Sequence, residues 1–138
     1  MADSDSANSA LSRETLNRIS GIIVDVAVNI HQQLGPGLLE SVYEAVLTHE
    51  LQKRGLRVDR QVPIPVIWDE VQLEVGFRAD LIVEGLVVVE IKSIEAVAPV
   101  HKKTVLTYLR LTDRRLALLI NFNVDLLKDG ITRIVNRF

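Results

Sequence analysis

The sequence predicts a mixed α/β fold, an α+β sandwich with a central sheet of about four to five strands flanked by helices. Three observations predict it. Apolar residues recur at helical spacing over the first third of the chain. The middle alternates apolar and polar residues, as strands do. Helical spacing then returns once, between strand-like runs, and that order suits a mixed sheet with helices on its faces.

The first helix is expected over residues 11–33, where Leu16, Ile19, Ile23, Val26 and Ile30 follow three- and four-residue steps. Gly35-Pro36-Gly37 ends it. A second helix is expected from about Leu38 to Arg54, with Leu39, Val42, Val46, Leu47 and Leu51 as its stripe and Gly55 as its terminal glycine. Val58 to Trp68 reads as a strand whose Pro63 and Pro65 confine it to an edge or a bulge. Val71 to Val83 and Leu86 to Lys92 read as two more strands about a turn at Glu84-Gly85. Val100 to Leu111 is helical, with Val100, Val105, Leu106 and Leu109 apolar. Leu116 to Phe122 has the length and content of a buried strand, and Ile131 to Val135 makes a last short one after Asp129-Gly130.

A length of 138 residues suits one domain, taken as 11–138. The polar, acidic opening, residues 1–10, is expected to be a disordered lead-in, and it has neither the basic start nor the apolar centre of a signal peptide. No apolar run approaches the ~20 residues that cross a bilayer. A cytoplasmic protein with no membrane partner is expected. The absence of cysteine excludes disulfides, thiolate zinc sites and cysteine nucleophiles. The net charge of −2 excludes binding nucleic acid by global attraction, so any such contact needs a local basic patch or bridging cations. Aromatic residues are only 4%, so stacking on single-stranded bases cannot dominate.

Asp80 and the Glu90-Ile91-Lys92 triplet carry the chemistry. Side chains alternate along a strand, so Glu90 and Lys92 share a face while Val89 and Ile91 take the other. Such groups on so apolar a strand are costly to bury unless they pair or bind a metal. With Glu84, Gly85 and Leu86 as the loop, Val83 faces Val87 and Asp80 falls opposite Glu90. Facing carboxylates repel, and a divalent cation relieves the repulsion. A two-residue loop would send the acids to opposite faces. Two carboxylates suit Mg²⁺, which polarises a phosphate and acidifies a bound water, and a nearby lysine can orient that water. The spacing alone is permissive, since two acids and a lysine near a hairpin also occur on solvated strands.

Gly37-Leu-Leu-Glu40-Ser-Val-Tyr43 resembles the pattern that names the GxxExxY proteins, which fall in the PD-(D/E)XK nuclease superfamily. The resemblance extends through HQQLGPGLLESVYEAVL, GFRADLIVEGLVVVEIKS and LLINFNVDLLKDGITRIVN, over about residues 15 to 138. It implies a restriction-endonuclease-like core of helix, three antiparallel strands, helix and strand. It implies a Mg²⁺- or Mn²⁺-dependent nuclease acting on DNA, with Asp80 and Glu90 as metal-binding acids, Lys92 as the superfamily's lysine and Glu40 as an added acid from the helix. The backbone carbonyl of Ile91 completes the set. Ala79 stands where the superfamily's name has proline. Thr104 stands about where relatives often carry glutamine, which shortens the reach of that contact.

Other candidates each have a plainer reading. Tyr43 shares a helix face with Glu40 and is either a site or phosphate contact or a half-buried tyrosine with a satisfied hydroxyl. Glu44 reads as solvated. His101 is a phosphate contact or a surface residue near a helix start, and His31 a capping or packing residue. Lys102, Lys103, Arg110, Arg114 and Arg115, with Arg78, form a phosphate-facing patch or a solvated helix face. Two functions remain at this stage: metal-dependent phosphodiester hydrolysis, or a non-catalytic module on the same fold that binds nucleic acid or protein. A homodimer suits a two-stranded substrate.

Overall fold

A computed structural model describes residues 2–138, with the side chains of 13–73 and 76–138. The elements run α1 (Ala2–Leu34), α2 (Glu40–Lys53), β1 (Val58–Trp68), β2 (Val71–Val83), β3 (Val87–Lys92), α3 (Pro99–Thr112), β4 (Leu116–Asn121) and, after a 3-10 turn at Leu127–Gly130, β5 (Ile131–Val135). The helix α1 takes in residues 2–10, which composition assigned to a disordered lead-in. That segment has no proline or glycine to stop a helix whose Leu16–Ile30 stripe is buried.

The sheet has five strands in the order β1-β2-β3-β4-β5. All neighbours are antiparallel except β3 and β4, which are parallel because α3 crosses between them. The proline-bearing β1 lies at an edge, where its missing N–H groups cost no ladder bond. Helices α1 and α2 pack one face through Ile19, Ile23, Tyr43, Leu47 and Leu51 against Leu81, Val89, Ile91 and Leu118. Helix α3 packs the other through Val105, Tyr108 and Leu109 against Ile82, Val88 and Leu119.

Two apolar stripes differ from expectation. Along α2 the buried face is Tyr43, Leu47 and Leu51, with Glu44 and Thr48 beside them, while Leu39 and Val42 face outward. On α3 the buried set is Val105, Tyr108 and Leu109, and Val100 is exposed. In both, one large aromatic residue sets the direction of the helix, because it buries the most apolar area.

The turn Gly35-Pro36-Gly37 has positive φ at both glycines. Gly55 closes α2 as expected: its N–H donates to Gln52 O, and Leu56 N–H donates to Leu51 O. The β2–β3 loop holds the three residues that the facing acids demand, since Val83 pairs with Val87.

Candidate active site

The ladder between β2 and β3 ends at Leu81–Val89, one step before Asp80 and Glu90. Side chains then replace it. Asp80 N–H donates to Glu90 Oε1 at 2.9 Å, and Ile91 N–H donates to Asp80 Oδ2 at 2.8 Å. Each carboxylate thus caps the backbone of the strand opposite, and the two acids are held side by side.

The strand pair also turns over here. Val58 and Leu81 pack with α1 and α2, whereas Val62, Ile64 and Ala79 pack with α3. Unbroken alternation would leave Leu81 and Ala79 on one face. The change falls at Gln61 and Asp80, and Gln61 adopts φ 50°, in the left-handed region. Asp80 is thereby directed to the α2 side, where it lines a cleft of about 200 Å³ with Glu40, Ser41, Glu44, Gln61 and Ile91.

Glu90 is 6% exposed, and burial, then the charge of Asp80, pushes its carboxyl up to about 8. Burial likewise raises Asp80, against the pull of the Ile91 hydrogen bond. The hydroxyl of Tyr108, from α3, is pushed up to about 12 by burial and by the charges of Glu90 and Asp80. Lys92 follows Glu90 on the strand, and its charge lowers both acids. None of the ion pairs among the described residues includes it.

Glu40 lines the cleft, and its Oε1 accepts Ser93 N–H at 3.2 Å while Ser93 Oγ donates to Leu38 O at 2.6 Å. The residue after Lys92 is thus tied to the start of α2. Asn121, 3% exposed and the register partner of Lys92, binds Ile94 through both its amide atoms. Sequence reasoning missed Asn121, for nothing local marks it.

Glu44 corrects the sequence reading. It is not solvated but 7% exposed, bound by Arg60 at 3.0 Å, and Gln61 Nε2 donates to both Glu44 and Asp80. A signal was present: Glu44 lies one helical turn from Glu40 and so shares its face.

Tyr43 is fully buried and does not line the cleft. Its hydroxyl donates to Gly35 O at 2.6 Å and accepts Leu38 N–H at 3.1 Å, and its ring stacks on Phe122 at 4.3 Å. It fixes the glycine turn that sets the direction of Glu40. His31 Nε2 sits 2.8 Å from Val124 O, a packing role. His101 Nδ1 accepts Ala98 N–H at the start of α3, and Thr104 Oγ1 donates back to Val100 O. Both are occupied locally. Lys102 and Arg78 are exposed. Arg114 and Arg115 bind the carbonyls of Gly85 and Phe138, beside the loop end of β3, so they do not join a patch at Lys92 about 17 Å along the strand.

The donor set suits a hard cation in kind: oxygen only, with two carboxylates held together out of water. No three acidic, histidine or cysteine side chains among the described residues converge into a metal cage. Mg²⁺ does not need one, since it is commonly held by one or two carboxylates, waters and substrate phosphate.

Searches of curated proteins and of solved structures return no significant match. The family comparison matches residues 17–134, which include every strand but the last residue of β5 together with the whole acid cleft, and on that match the chain belongs to the PD-(D/E)XK nuclease superfamily.

Proposed function

We propose that this chain hydrolyses phosphodiester bonds in nucleic acid, with DNA as substrate and Mg²⁺ or Mn²⁺ as cofactor, and that within its superfamily it is a GxxExxY protein. The observation that carries the reading is the Asp80–Glu90 pair, held side by side by reciprocal backbone bonds and desolvated enough that both carboxyls are raised. A perturbed acid lining a cleft, as Asp80 does with Glu90 buried beside it, is a mark of function.

Asp80 and Glu90 would hold the cation, with the Ile91 carbonyl beside them and Glu40 reaching it through water. When bound, the cation supplies charge neutralisation at the phosphate and a more acidic water. Lys92 orients that water and offsets charge on the phosphate. Glu40 holds the strand end that carries Lys92, through Ser93. Arg78 and Lys102 meet backbone phosphates, with His101 Nε2 and the Thr104 oxygen as lesser contacts. A location in the cytoplasm belongs to the same reading. No helix among the described residues is long and apolar enough to cross a membrane.

The test is cleavage of labelled duplex DNA, and of RNA, with Mg²⁺ or Mn²⁺, by wild type, Asp80→Ala and Lys92→Ala. Cleavage should vanish in both variants while circular dichroism stays unchanged. Full activity in both would refute the assignment. A second reading, a binding module without catalysis, is favoured by the partners the acids already have: Asp80 and Glu90 each accept a backbone N–H, and Glu44 is bound by Arg60. It predicts no cleavage with any divalent metal, and a higher Tm for Asp80→Ala above pH about 8, where Glu90 is ionised and the substitution relieves its repulsion with Asp80.

A further inference from the structure

Beyond Ile64 and Phe77 the β1–β2 pair leaves the body of the sheet. Pairing of β2 with β3 covers only Leu81 to Val83, and α3 reaches the pair through Tyr108, 5.2 Å from Phe77. What continues is a two-stranded ribbon, a form only marginally stable alone in water. Its register places Val66 opposite Leu73 and Trp68 opposite Val71. Two successive cross-strand pairs on one face are therefore entirely apolar. Trp68 is 73% exposed, Val71 57% and Leu73 43%. An apolar face so exposed marks an interaction surface.

Charge selects the occupant. Residues 61–77 contain Asp69, Glu70 and Glu74 and no lysine, arginine or histidine. An acidic tip repels phosphate and so disfavours nucleic acid. Helix α3 is the opposite: Lys102, Lys103 and Arg110, and no acid. Val100, Lys103, Thr107, Arg110 and Leu111 follow three- and four-residue steps and share its outer stripe. Val100 is 61% exposed and Leu111 39%. An acidic apolar ribbon and a basic apolar helix are thus both displayed by one chain. Pro63 and Pro65 block pairing along the free edge of β1, so the ribbon is suited to docking by its face rather than by strand addition.

We infer that the Val66–Leu73 ribbon is a docking arm that seats on the outer stripe of α3 in a second copy of this chain, reciprocally, giving a twofold dimer. Apolar contact supplies the adhesion, and the charges set partner and register. The inference stands apart from the catalytic reading and needs neither metal nor cleavage.

Sedimentation of the full chain across a concentration series tests it. Wild type should be dimeric, and weaker in about 500 mM salt than in about 50 mM, because exposed charge pairs are screened. Trp68→Ser should be monomeric with an unchanged far-ultraviolet circular dichroism spectrum, since Trp68 supports no core, and its melting temperature should no longer rise with concentration. Lys103→Glu with Arg110→Glu should also be monomeric, and adding Asp69→Lys with Glu70→Lys should restore the dimer. Because the chain has no cysteine, Glu70→Cys and Lys103→Cys proteins can be mixed under oxidation. A disulfide should form in the mixture and not in either protein alone. A wild type that is monomeric at every concentration overturns the inference, as does a dimer indifferent to Trp68→Ser or uncrosslinked in the mixture. A monomer whose binding of a duplex oligonucleotide in EDTA falls with Trp68→Ser would assign the arm to nucleic acid and also overturn it.

Discussion

Glu90 carries a proton near neutrality in the metal-free protein, because burial and Asp80 raise its carboxyl from the ordinary 4.5 to about 8. Between those values the folded state binds more protons than the unfolded state. Stability is therefore fully present below about 4.5 and is lost as pH rises through about 8. Melting temperature in EDTA should fall over that window, and Glu90→Gln should flatten the fall; an equal slope in both proteins would count against the assignment. Tyr43 makes a different prediction. Tyr43→Phe keeps the stack on Phe122 and removes two hydrogen bonds at the glycine turn. It should cost about 1–2 kcal/mol in urea unfolding. It should lower activity only modestly, since the hydroxyl lies outside the cleft.

At the scale of elements, the site depends on two backbone features of the β1–β2–β3 meander. The three-residue loop sets the register, and the left-handed Gln61 turns the β1–β2 pair over. The first was legible as a condition: a three-residue loop puts Asp80 opposite Glu90 and a two-residue loop does not, and the pairing of Val83 with Val87 decided between them. The second was not. Gln61 looks like any polar strand residue, and its conformation is held by bonds to Glu44 and Asp80, far off in the chain. Gln61→Val should cost about 1–3 kcal/mol, because a β-branched residue resists positive φ. Gln61→Gly relaxes the backbone and loses only the amide, so its Tm should lie above that of Gln61→Val. The reverse order by calorimetry would show that φ is not what limits this position.

For the whole molecule, a cation bound only by the folded state should stabilise it by mass action. At a hundredfold excess over Kd the gain is about 2.7 kcal/mol, read as a rise in Tm with Mn²⁺ or Mg²⁺. Asp80→Asn should abolish that rise. A rise undiminished in the variant would place the cation elsewhere.

The sequence by itself determined most of the elements, confined β1 to an edge or a bulge, put Glu90 and Lys92 on one side of their strand, and made the facing of Asp80 and Glu90 depend on the length of one loop. All of these follow from local periodicity, proline chemistry and one short loop. Only the tertiary structure decided that Glu44 is buried against Arg60 and Gln61, that Tyr43 serves a turn rather than the cleft, and that Arg114 and Arg115 lie away from Lys92. Each depends on which face of a helix meets the sheet and where a distant strand passes. A single apolar stripe cannot fix those, because neighbouring helical positions differ by only a fraction of a turn while their burial differs completely. The acid pair was therefore written in the chain, and the walls of its cleft were set by packing.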